Sequence, residues 1–178
     1  MPQALDLDRL LADAYVAGLS DLPMADLRAR KTECSEVEGA LSYLRRLVGV
    51  RLDIVRAELD NRAAGGTGEL SELVDHLREI LTEGGTRTVA GRLPSLTLPD
   101  VDYELLTADL DAIFSVDKAG ALPETDEAEV RKIADALVEL ERSVSAQRRA
   151  LHEHLDLLQA EMVRRYKSGE ANVDSLLT

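Results

Sequence analysis

The chain contains no tryptophan, one phenylalanine and four tyrosines, so aromatic residues make up only 3% of its 178 residues. Sheet proteins lean on aromatic and β-branched side chains, and this composition excludes most of them. A single cysteine, Cys34, rules out an internal disulfide and reads as a small helix residue. No apolar run approaches the roughly 20 residues that span a bilayer. The start, "MPQALDLDRLLADAYVAG", lacks the basic and continuous apolar regions of a signal peptide. The chain therefore reads as cytoplasmic. Cations are also short: the net charge is −13. That disfavours direct binding to DNA or RNA, which rests on neutralising phosphates, and docking on an anionic membrane. It is compatible with a basic protein partner. Gly-rich phosphate loops, Cys/His clusters and nucleophile–base spacings are missing too, so nothing points to an enzyme or a metal site. His76, His152 and His154 read as surface residues rather than metal ligands.

What is present is Ala, Leu, Val, Glu and Arg, with 45% hydrophobic and 31% charged residues. This predicts an all-α protein, folded as a single helical domain over 1–178. Residues 1–22 form an N-terminal segment with a short amphipathic piece from Leu5 to Val16. Ser20 or Asp21 would cap a first long helix over 24–62, with Pro23 in its first turn. "AAGGTG" ends that helix. A connector over 63–125 follows, with short helices at 69–83 and 103–114 and loops at 84–100 and at "SVDKAGALPET". Thr125 would cap the last long helix, 126–168, and Gly169 would stop it before a frayed tail, 169–178.

Both long helices carry apolar rows at seven-residue spacing. The first has Leu41, Val48 and Val55, with Leu52 and Leu59 beside them. The last has Val130, Leu137, Val144, Leu151 and Leu158, with Leu155 and Met162 beside them. Such seams pair as a coiled coil. The connector is long enough for either relative direction.

The two helices also repeat each other. Residues 38–62, shifted by 103 positions, fall on 141–165 with identities at Glu38/Glu141, Ser42/Ser145, Arg45/Arg148, Arg46/Arg149, Leu52/Leu155, Asp53/Asp156, Ala57/Ala160, Glu58/Glu161 and Arg62/Arg165. Heptads explain shared Leu and Val. They do not explain shared Ser, Arg and Asp at the same offsets. The polar set Glu-x3-Ser-x2-Arg-x7-Asp stays within roughly 80° of helix surface and forms a stripe about 22 Å long at the edge of the seam. A single such stripe would read as solvated charge or interhelical ion pairs. Two matching stripes, each with a mediocre helix former at the same place, argue for a task.

The chemistry suggests which one. Arg offers a planar fork that matches O6 and N7 of guanine, or a phosphate. A carboxylate accepts from the guanine N1–H and amino group, and Ser can donate to a phosphate oxygen. Two copies suit a duplicated or two-fold symmetric ligand, and cyclic di-GMP meets both demands.

The stripes "EGALSYLRRLVGVRLD" and "ERSVSAQRRALHEHLD" resemble the Glu-x3-Ser-x2-Arg-x3-Gln-x3-Asp signature of the RsiG anti-sigma factors of actinobacteria. Gly49 and His152 stand where that signature has Gln. The resemblance implies two long helices in an antiparallel coiled coil, with a pair of cyclic di-GMP molecules bound across it. Glu38, Ser42, Arg45 and Asp53 would contact one nucleotide. Glu141, Ser145, Arg148 and Asp156, with His152, would contact the other. The loaded protein would hold a sporulation sigma factor of the WhiG type away from RNA polymerase. Leu44, Leu47 and Ile54, off the main seam, are candidates for the sigma-binding surface or for packing under the short helices. The competing reading is a scaffolding coiled coil that binds a protein partner without nucleotide.

Overall fold

The computed structural model of the protein describes residues 6–65 and 103–170, except for the side chain of Tyr103. The expected helix at 69–83, the loop at 84–100, His76 and the tail beyond 170 lie outside these residues. All regular structure among the described residues is helical: α1 (Leu7–Leu11), α2 (Met24–Ala63), α3 (Tyr103–Ile113), α4 (Val116–Gly120) and α5 (Glu127–Ser168), with short 3-10 turns at Asp13–Val16, Leu19–Asp21 and Leu122–Glu124. Among these residues no helix is long and apolar enough to cross a membrane.

The long helices end where the sequence stops supporting them. α2 runs for 40 residues and α5 for 42. Gly65 and Gly169 follow them with φ of 80° and 76°. These are left-handed conformations that a residue with a Cβ adopts only at a cost, and they turn the chain out of the helix. The starts differ from expectation. Ser20 and Asp21 belong to a 3-10 turn, and the Pro23 carbonyl receives the first amides of α2, from Asp26 and Leu27. At α5 the cap is Asp126, whose carboxylate accepts from the Ala128 N–H at 3.0 Å. Thr125 instead turns its hydroxyl onto the Ala121 carbonyl. Nor is "SVDKAGALPET" a plain connection. It builds α4, with the Ser115 hydroxyl accepting from the Lys118 N–H.

The chain divides into two compact units. The first holds 6–43 and 144–170, the second 44–65 and 103–143. In the first unit α2 and α5 run antiparallel, as the bonds from Lys31 to Gln159 (2.5 Å) and from Arg148 to Glu38 (2.8 Å) require. Leu27, Cys34 and Leu41 from α2, and Val144, Leu151 and Leu158 from α5, are buried at every seventh position. Cys34 is thus a seam residue. Leu10 and Tyr15 close this core, and His154 joins them. The expectation of a surface His154 fails. It lies three residues after Leu151 and four before Leu158, on the shoulder of the seam, and the N-terminal segment covers that shoulder. Its Nδ1 sits 2.9 Å from the Leu10 carbonyl, and its ring stacks on Tyr15.

The second unit repeats the plan. Val48 and Val55 of α2 and Val130 and Leu137 of α5 are buried, with Leu110 and Phe114 of the α3 segment and Leu122 beside them. Leu44 is buried here too, which removes it as an exposed docking residue; Leu47 and Ile54 are half-buried. Arg51 holds the short elements by pairing with Asp111 at 2.6 Å and donating to the Phe114 carbonyl. Arg51 and His154 are equivalent at the offset of 103, so each unit uses the same helix position to anchor its short segment.

A second shared position closes each unit. Arg62 donates to the carbonyls of Leu122, Pro123 and Thr125 and pairs with the fully buried Glu58 at 2.5 Å. Arg165 donates to the carbonyls of Leu19, Ser20 and Leu22 and pairs with Glu161 at 2.7 Å. Donors and acceptors alike correspond at the offset of 103. The repeat visible in the helices therefore extends into the turns that precede them.

Candidate functional site

Among the described residues, the motif positions of α2 lie away from the short elements. On α2, Arg51 and Glu33 face the short segments of their units. On the helical wheel Asp53 lies roughly 160° from Arg51, and Ser42 roughly 180° from Glu33. The polar stripe thus points away from the packed shoulder.

In the first unit Glu38 is the hub. Its Oε1 accepts from the Ser42 hydroxyl at 2.7 Å and from Arg148 Nε and Nη2 at 3.1 and 2.8 Å. His152 Nε2 stands 3.3 Å from the same oxygen. Burial raises the Glu38 carboxyl, but the bonds from Ser42 and Arg148 and the nearby positive charge outweigh it, so its pKa falls below the ordinary 4.5. A carboxylate lowered on folding stabilises the protein above its unfolded value and loses that contribution as pH falls through its folded value. The stability difference between wild type and Glu38→Gln should therefore be constant from pH 7 to about pH 5.5 and shrink below 4.5. Thermal melts of both proteins across pH 3–7 would check this, and a difference unchanged at pH 3 would contradict it.

In the second unit the same pairing recurs with the copies exchanged: Arg45 Nε donates to Glu141 Oε1 at 3.0 Å. Each acid of one motif thus meets the guanidinium of the other. The two pairs are not equally open. The side chains of Arg45 and Glu141 are 46% and 31% exposed, those of Arg148 and Glu38 24% and 19%. Asp53, Asp156 and His152 are exposed, and Ser42 and Ser145 half-buried. Among the described residues neither Asp53 nor Asp156 forms an ion pair, and no cluster of three metal-ligating side chains occurs.

Gly49 adds nothing to the site by side chain, and a helix interior glycine lowers stability by about 1 kcal/mol relative to alanine. Sequence reasoning passed over the Glu58–Arg62 and Glu161–Arg165 clamps. Their signal was available in the identities at those four positions, outside the polar motif but inside the repeat.

Fold and site together define a helical, internally repeated coiled-coil protein with acid–guanidinium pairs that join its two motifs. The family model described as RsiG-like matches residues 13–81 and 117–178, and the chain belongs to that family. Membership suggests an anti-sigma role and, with it, a sigma factor as partner. No curated protein matches the chain.

Proposed function

We propose that the protein is a cyclic di-GMP-dependent anti-sigma factor which, when loaded, holds a WhiG-type sporulation sigma factor away from RNA polymerase in the cytoplasm. The observation that carries this reading is the reciprocal pairing, Glu38 with Arg148 and Arg45 with Glu141. The donor set fits the ligand. Guanine offers O6 and N7 to a guanidinium fork, and its N1–H and amino group to a carboxylate. Acid and guanidinium satisfy each other in the free protein, so a nucleotide would supply each with a new partner rather than find it bare. The residues that would hold the nucleotides are Glu38, Ser42, Arg45, Asp53, Glu141, Ser145, Arg148, His152 and Asp156. Two copies of the motif favour two nucleotides per chain. The net charge of −13 suits a sigma factor with basic DNA-binding surfaces.

Loaded stripes would present protein and ligand together to the sigma factor. The coupling must then run both ways, with the sigma factor tightening nucleotide binding by the factor by which nucleotide tightens sigma binding. Calorimetric titration with cyclic di-GMP, with GMP and GTP as controls and with and without a WhiG-type sigma factor, tests this. The expected result is uptake of cyclic di-GMP that strengthens when the sigma factor is present. Equal affinity in both conditions would overturn the coupling. No uptake in either would overturn the whole reading.

A further inference from the structure

Gly49 sits inside the first motif, and nothing among the described residues asks for glycine there. A Cβ built at this position meets no atom within 4 Å, and the backbone is ordinary helix. Glycine in such a place weakens the helix without relieving any crowding. What it does create is room for a group to approach the backbone on the motif flank, where no side chain stands. Arg45 lies one turn before it and Asp53 one turn after, both exposed. A guanidinium, a half-buried stretch of backbone without a side chain and a carboxylate thus occupy three successive turns, about 6 Å apart.

We infer that Gly49 seats the flat face of a purine base, with the acceptor edge of the base toward Arg45 and its donor edge toward Asp53. The inference rests on the proposed guanine nucleotide ligand and adds which residue receives the ring. Guanine satisfies both ends of this platform. Adenine carries an amino group in place of O6 and would set a donor against the guanidinium. A methyl group at Gly49 would lift the ring from the backbone and loosen both edge contacts.

The second motif has no such platform. His152 fills the corresponding position between Arg148 and Asp156, and its ring nitrogen stands 3.3 Å from Glu38. The Arg148–Glu38 pair beside it is also the less exposed of the two. The two sites are therefore unequal, and the Gly49 site takes its base more readily.

Gly49→Ala tests this by thermal melting of the free chain and by calorimetry with cyclic di-GMP. Gly120→Ala is the control: it is equally unhindered and lies outside both motifs. The free Gly49→Ala protein should melt about 2–4 °C higher. One of two binding steps should weaken at least tenfold, while Gly120→Ala binds as wild type does. A Gly49→Ala protein that melts higher and binds with wild-type affinity in both steps would overturn the inference but leave the proposed ligand standing. A wild-type protein that takes up no cyclic di-GMP would overturn both.

Discussion

A chain carrying Arg45→Ala and Arg148→Ala together is expected to bind cyclic di-GMP at least a hundredfold more weakly than wild type, and to lose nucleotide-dependent capture of the sigma factor. Hydrogen bonds to a charged group contribute about 1.5–3 kcal/mol each, and this double change removes the guanidinium fork from both stripes. Two such losses correspond to a factor of roughly 10² to 10⁴ in affinity. Folding should suffer little. Both pairs flank the seam instead of forming it, and the Arg45–Glu141 pair is substantially solvent-exposed, where an ion pair is worth about 0–1 kcal/mol. Glu38 keeps Ser42 and His152 when Arg148 is gone. Calorimetry paired with thermal melting separates the two effects. If the double variant melts like wild type and binds nucleotide equally well, the stripes are not the ligand site. If it still captures the sigma factor without nucleotide, the protein is a ligand-independent binder.

The second large effect concerns folding. Arg62→Met is expected to destabilise the protein by about 3–5 kcal/mol, since it strands a buried carboxylate. Glu58 is fully buried, and among the described residues its second oxygen, Oε2, has no hydrogen-bond partner even in the intact protein. Losing Arg62 removes the ion pair at Oε1 and also the donors that bind the Leu122, Pro123 and Thr125 carbonyls. For a chain of this size the loss should appear as a fall in Tm on the order of 10 °C. Adding Glu58→Leu should recover a large part of it, because an apolar pair replaces a buried charge without a partner. Arg165→Met should be milder, since Glu161 keeps Arg164 at 2.9 Å. A loss below 1 kcal/mol for Arg62→Met, or no recovery in the double variant, would show that the clamp does not hold the turn before α5.

The seam and the stripes were legible in the sequence because both are periodic. Val130, Leu137, Val144, Leu151 and Leu158 are all buried, as their seven-residue spacing demands. The polar motif could be read because it occurs twice. What periodicity could not convey was anything decided by contact between distant segments. His154 stands on the shoulder of the seam, and its contacts with the N-terminal segment, at the Leu10 carbonyl and the Tyr15 ring, make it internal. Leu44 suits either a partner surface or internal packing by its spacing, and its burial in the second unit decides for packing. The helix starts differ from the sequence pattern for a related reason. Ser20, Asp21 and Thr125 are good capping residues, but Arg165 and Arg62 take the carbonyls around them and hold those stretches as turns, which hands the caps to Pro23 and Asp126. The pairing of each acid with the other motif's guanidinium was likewise hidden, because it depends on the direction in which α5 returns along α2.

That direction gives the charged pairs a role as a ruler. A seam with the same period throughout does not distinguish the native alignment of α2 against α5 from one slipped by a heptad, since apolar residues meet apolar residues either way. The charges do distinguish them. Sliding α5 by seven residues in one sense would bring Glu141 opposite Glu38, and in the other would bring Arg148 opposite Arg45. Each slip replaces attraction by repulsion between like charges. The same four residues proposed to grip a nucleotide therefore also favour the native register of the coiled coil, alongside the Arg62 and Arg165 clamps that tie the turn before each long helix to the end of the other.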